Sequence, residues 1–155
     1  MFARWTDTVT DIVADAELLR RRRYGVIETV DGRLSRIALL PFPKLIAIPD
    51  VFLGGLSRHR RRAGDRCWLY YNQPRRFPNY LALRYIVSSR QGTLATFRAA
   101  LAVLDEIARL KRTDAILCDV ALSRVSDRLL ARWGWAALAP RLLHRNYIKR
   151  FYGVY

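Results

Sequence analysis

The chain has 155 residues, enough for one domain with a real core and too few for two comfortable ones. Hydrophobic residues make up 52% and charged residues 26%, a globular composition that excludes a disordered chain. Lysine and arginine total 28 against 13 acids, a formal net charge of +15 that favours nucleic acid, membrane headgroups or a phosphorylated cofactor as partners. Only Lys44, Lys111 and Lys149 are lysines, however, and the base composition of a GC-rich genome accounts for such an arginine excess equally well.

Cys67 and Cys118 each sit in an apolar, strand-like run without C-x-x-C spacing, and this fits a reduced, cytoplasmic protein with buried thiols. His59 and His144 form no metal-ligand pattern, so no metal site is expected. The first residues lack the apolar core of a signal peptide. No stretch approaches the roughly 18 apolar residues that span a bilayer. The best run, 37–56, is broken by Pro41, Pro43, Lys44, Pro49 and Asp50, so a soluble protein with no membrane partner is expected.

In chain order, residues 6–22 read as an amphipathic helix, with Val9, Ile12, Val13, Ala16 and Leu19 at helical spacing, aspartates early and arginines late. Residues 25–30 and 33–40 flank Asp31-Gly32, a hairpin signal because both turn positions accept positive φ. From Lys44 to Gly64 prolines, a glycine pair and the basic run 58–62 predict irregular structure. Residues 66–71 read as an aromatic strand and 72–79 as a loop, and 80–87 as a strand antiparallel to the first.

The centre of the chain is a strand–helix–strand unit. A polar turn, 88–93, opens a long helix that runs to about Arg112. Leu94, Phe97, Leu101, Leu104, Ile107 and Ala108 form its apolar stripe, with Arg98, Asp105, Arg109 and Arg112 opposite. Residues 114–120 read as a strand covered on both faces. A short helix follows over 123–133, with Ser123 as its cap and Gly134 as its left-handed stop. Brief strands are expected over 135–138 and 144–152. A helix N-terminus after a glycine-bearing turn presents unpaired N–H groups to an anion, so the turn is the expected phosphate site.

This order, and above all the stretch 120–135 ending in Gly134-Trp135, resembles the GNAT superfamily of N-acetyltransferases. The resemblance is carried by 80–152, and the first half agrees in element order only. It implies an α+β fold, with a GNAT-like mixed, mostly antiparallel sheet flanked by helices in a single domain spanning 1–155, opening after the fourth strand. It further implies acetyl-CoA as co-substrate and an amine acceptor. Pantetheine would lie along strand 80–87, bonded to the backbone near Ile86, Val87 and Ser88. The pyrophosphate would sit on the amides of Arg90, Gln91, Gly92 and Thr93, with Gly92 allowing close approach and Arg90 adding charge. Aligned on Gly92, the family's phosphate loop places Ser89 at its first position and Leu94 at its last. The family's early helix asparagine and its thiolate-protonating tyrosine fall on Ser123, which reads as a cap, and Leu130, which reads as core.

No catalytic residue is nominated. Glu28 is a candidate base whose commoner role is to pair with arginine across strands. Tyr70, Tyr71 and Tyr85 are candidate acids whose commoner role is packing. Two further readings stand beside acyl transfer: a GNAT-like binding or scaffold module without turnover, and a basic nucleic-acid-binding protein using 20–23, 58–62, Arg75, Arg76 and the C-terminal strand. A Rossmann-type unit is disfavoured by the single crossover and the missing G-x-G-x-x-G. The acceptor, the acyl group and the oligomeric state leave no trace in the sequence.

Overall fold

The computed structural model describes residues 7–41, 64–119, 127–137 and 146–151, with backbone alone for Tyr85, Asp119, Asp127 and Asn146. The elements are β1 (Asp7–Val9), α1 (Ala16–Arg21), β2 (Tyr24–Val30), β3 (Arg33–Leu40), β4 (Arg66–Asn72), β5 (Tyr80–Ser88), α2 (Leu94–Leu110), β6 (Ala115–Asp119), α3 (Asp127–Arg132), β7 (Ala136–Ala137) and β8 (Asn146–Arg150). The eight described strands form one sheet in the order β1-β3-β2-β4-β5-β6-β8-β7. Every pairing is antiparallel except β5 with β6. This is the mixed, mostly antiparallel α+β sheet flanked by helices that the resemblance implied.

The helix expected over 6–22 splits into a short strand, a turn and a shorter helix. Residues 7–9 pair with β3, Asp7 opposite Leu39 and Val9 opposite Ile37, and Val9 is fully buried. The Asp11 carboxylate then accepts hydrogen bonds from the amides of Val13 and Ala14, closing a turn. Helix begins only at Ala16, and Val13, expected on the apolar stripe, is 87% exposed. An edge-strand position on the sheet has overridden helical periodicity. The sheet consequently opens after its fifth strand rather than its fourth.

The hairpin forms as expected. Asp31 and Gly32 take φ of 49° and 78°, the conformation a tight primed turn needs. The segment 42–63, with most of the irregular stretch and the basic run 58–62, lies outside the described residues.

Helix α2 lies across one face of the sheet. Phe97, Leu101, Leu104, Ile107 and Ala108 are buried against Ile27, Leu69, Leu81 and Leu83, and Leu19 of α1 joins the same core. A smaller cluster of Val26, Trp68 and Tyr70 occupies the opposite face. Asp105 departs from its expected solvent position. It is paired with Lys149 of β8 at 2.5 Å, with side chains only 14% and 18% exposed. Gly134, with φ of 88°, stops the helical turn after α3 as expected.

Candidate functional site

The site is built on a break in strand pairing. Strand β6 pairs with β5 from Tyr80–Ala115 to Leu83–Cys118, and among the described residues that register goes no further. On its other side β5 keeps β4 as a neighbour up to Ser88, opposite Cys67. Between Tyr70 and Tyr71 the β4–β5 register shifts: Tyr71 faces Leu83 and Tyr70 faces Tyr85, so Arg84 is the extra residue of a bulge. The bulge reverses the side-chain phase. Leu81 and Leu83 point into the main core, but beyond the bulge it is Ile86 that packs there, while Val87 joins the opposite cluster. Pairing with β6 thus ends beside the residue at which β5 is bent, and the two strands fork.

The residues that hold the base of the fork are apolar or neutral. Leu83, Cys118, Leu130, Trp135 and Tyr147 converge there, with no room left for a water molecule. Leu130 is 2% exposed, the core role that its position suggested. Ser123, the other position of that pair, lies outside the described residues.

At the far end of β5 stand the seven residues expected to hold a coenzyme. Ile86, Val87 and Ser88 are half-buried at the end of the strand, Arg90 and Gln91 are exposed on the turn, and Gly92 and Thr93 lead into α2. The turn makes many of its own bonds. The Ser89 amide donates to the Arg66 carbonyl at 2.9 Å and the Gly92 amide to the Ser89 carbonyl at 3.0 Å. A Cβ on Gly92 would meet Ser88 Cβ and the Ser89 carbonyl oxygen at 3.0 Å, so a larger residue there would crowd the turn.

Thr93 caps α2, its side-chain oxygen accepting from the Thr96 amide at 3.3 Å. The first turn of α2 holds no acid. The negative charge comes from Asp65, whose carboxylate accepts from the Thr93 amide, the Thr93 hydroxyl and the Thr96 hydroxyl, each at 2.7 Å. Partial burial would raise the Asp65 carboxyl, but these three bonds outweigh it and hold the group below its ordinary value of 3.8. Sequence reasoning missed Asp65 because it lies 28 residues upstream of Thr93.

Beside the same helix start runs a groove of about 380 Å³ between α2 and α3. Leu94, Ala95 and Arg98 form one wall and Leu129, Arg132 and Trp133 the other. Arg98 and Arg132 are exposed, and the Arg98 guanidinium lies 5.8 Å from the centre of the Trp133 ring, which itself tilts against Phe97. Leu94, expected in the buried stripe, is 50% exposed here. The groove offers an apolar floor with two cations, in a volume that suits a small organic ligand.

Of the remaining candidates, Tyr85 is described by its backbone alone and the others are engaged elsewhere. Glu28 is 5% exposed and ion-paired with Arg36 at 2.7 Å and Arg66 at 3.1 Å, the cross-strand role weighed for it. Tyr71 is fully buried beneath α2, and burial pushes its phenol up. Tyr70 is buried in the cluster on the opposite face. Cys67 is buried, and burial pushes its thiol up to about 12, against the pull of Ser88. Among the described residues no group of three His, Cys, Asp or Glu could hold a metal ion, and no helix is long and apolar enough to cross a membrane.

No protein-family profile matches this chain, and no curated protein does. Solved structures do. The chain is similar to PaiA N-acetyltransferase of Thermoplasma acidophilum in complex with coenzyme A, at 10% identity over 94% of this chain and 98% of that one, with a TM-score of 0.49. Nourseothricin acetyltransferase aligns at 12% identity over 94% and 98% of the two chains, with a TM-score of 0.47. A GNAT-family acetyltransferase of Staphylococcus aureus aligns at 10% identity over the same shares, with a TM-score of 0.46. These likenesses are slight, and the functional reading rests on the fork, the turn and the groove.

Proposed function

We propose that the chain binds an acyl-coenzyme A, acetyl-CoA in the simplest case, and transfers its acyl group to an amine. The observation that carries this reading is the fork. Beyond the Arg84 bulge, β5 has β4 on one side and, among the described residues, no paired β6 on the other. A strand edge of this kind takes an extended, amide-bearing chain as an added strand, with main-chain hydrogen bonds supplying affinity. Pantetheine is such a chain. Laid along Ile86, Val87 and Ser88, it would bring its thioester towards the base of the fork and its nucleotide towards the groove of Arg98, Arg132 and Trp133. The amine nitrogen then forms its bond to the acyl carbon as the carbon–sulfur bond breaks, and the leaving thiolate takes up a proton.

A coenzyme-binding module without turnover is the second reading. It is favoured by Leu130, which packs at the base of the fork without an acidic proton, and by Glu28, which is held between two arginines. Thermal shift separates the cases. Acetyl-CoA at about 100 times its dissociation constant should add roughly 2.7 kcal/mol, which for a chain of this size is about 5–10 °C in Tm. No shift with any acyl-CoA sinks both readings. A shift without release of free thiol across a panel of amines leaves the binding module. An oligonucleotide shift that collapses with added salt would favour the nucleic-acid reading instead.

A further inference from the structure

A helix that begins where a diphosphate is expected should offer its first amides to that anion. Here three amides of the turn and first helical turn are already engaged. The Thr93 amide is bonded to Asp65, the Gly92 amide to the Ser89 carbonyl, and the Thr96 amide to the Thr93 hydroxyl. Asp65 is also held from behind. Its own carbonyl accepts from the Asp31 amide at 3.0 Å, and Thr96, which donates to its carboxylate, accepts from the Gly32 amide at 2.8 Å. The carboxylate is therefore fixed by the β2–β3 turn as well as by α2. A phosphate brought to Thr93 would lose one donor to Asp65 and meet a like charge.

We propose that Asp65 is a specificity determinant, a built-in anion that closes the start of α2 to phosphate and leaves the charged part of the ligand to Arg98 and Arg132. The groove begins at Leu94 and Ala95, the residues that follow Thr93, so the displacement required of the ligand is about one helical turn. Two exposed guanidiniums there provide charge-assisted donors. The inference rests on the acyl-coenzyme A reading for the identity of the ligand, but not for the exclusion of phosphate at Thr93.

The test uses the full chain, coenzyme A and inorganic pyrophosphate as probes, and the amide resonances of Thr93 and Thr96 as reporters. In the wild type, saturating coenzyme A should leave the Thr93 amide unmoved. Arg98→Gln/Arg132→Gln should weaken coenzyme A at least tenfold. Arg75→Gln/Arg76→Gln, equal in charge and placed in the β4–β5 loop, should change it less than twofold. Asp65→Asn keeps an oxygen facing Thr93 and removes the charge. It should tighten coenzyme A and pyrophosphate about threefold or more and bring the Thr93 amide into the titration, and Asp65→Ser repeats the measurement should the asparagine variant fold poorly. The proposal is overturned if coenzyme A or pyrophosphate shifts the wild-type Thr93 amide at saturation, or if neither Asp65 variant gains affinity for pyrophosphate. Failure of coenzyme A to bind any variant, with pyrophosphate still gained on loss of Asp65, removes the acyl-coenzyme A reading and keeps the role of Asp65.

Discussion

The two ends of α2 are capped by charge from elsewhere in the chain, and they differ in what surrounds that charge. At the first end the Asp65 carboxylate meets Thr93 and Thr96 at an exposed turn. At the last, the Arg20 guanidinium donates to the Leu110 carbonyl at 3.1 Å, and the Lys111 ammonium donates to the carbonyls of Arg20 and Arg22 at 2.9 and 2.7 Å and to Gln73 at 3.1 Å. Both arrangements place charge opposite to the helix dipole. The Lys111 end is the drier: burial first, then the nearby Arg23, pushes its ammonium down to about 8. A buried cation bonded to two separate segments is a structural tie. A wet carboxylate on one turn, beside a groove, is a gate to binding. Substitutions along the helix can break this distinction or sharpen it.

The largest effect is expected between the two ends. Asp105 and Lys149 join α2 to β8 with little exposure on either side chain. Burial pushes the Asp105 carboxyl up, against the pull of Lys149 and Arg109. Removing one partner leaves the other charge unpaired in a poorly hydrated place. Asp105→Leu should lower unfolding stability by about 3 kcal/mol, and Asp105→Leu/Lys149→Met should recover most of that loss. Urea denaturation of the three proteins checks both numbers. A double variant as unstable as the single one would show that packing, not charge, holds that contact.

Next comes Lys111→Met, expected to cost about 1–2 kcal/mol, because the lost donors to three oxygens are partly offset by relief of a desolvated charge. The corresponding fall in Tm is about 2–8 °C. A pH series gives the sign independently. The unfolded chain holds the Lys111 proton up to about 10.5, whereas the folded chain releases it from about 8. Stability contributed by this group is therefore complete above 10.5 and lost as pH falls through 8. The advantage of wild type over Lys111→Met should grow between pH 8 and 10. The opposite trend that Cys67 imposes, with its thiol raised from 9.0 to about 12, is common to both proteins and cancels in the difference.

Much of this architecture is legible in the sequence because its signals are local. The Asp31-Gly32 turn, the α2 stripe from Phe97 to Ala108 and the Gly134 stop each need only a short window, and each appears as read. What was illegible depends on residues far apart. Val9 is apolar at helical spacing, and only its pairing with Ile37 makes it a strand residue. The bulge at Arg84 leaves no mark in a run that is apolar on both faces, where alternation carries no phase. The groove was missed because its walls come from two helices, and Leu94 reads as core in the first of them taken singly. Asp65 lies in a turn whose role is set by an element that has not yet begun.

The smallest effect on stability is expected at Asp65, and this is what separates the two ends most clearly. Asp65→Asn retains a hydrogen-bond acceptor for the Thr93 amide and loses only a screened charge at a helix start, so it should cost about 0.5–1 kcal/mol. The carboxyl is held below its ordinary value of 3.8. Its stabilisation is therefore present above that value and lost as pH falls through the folded one, and wild type and Asp65→Asn should converge in strongly acidic solution. A loss at Asp65 as large as that at Lys111, undiminished by added salt, would make the first end a structural tie like the second. A small, salt-sensitive loss joined to a gain in pyrophosphate affinity is the signature of a charge kept there to exclude an anion, because a residue selected only to cap the helix would have no ligand to release.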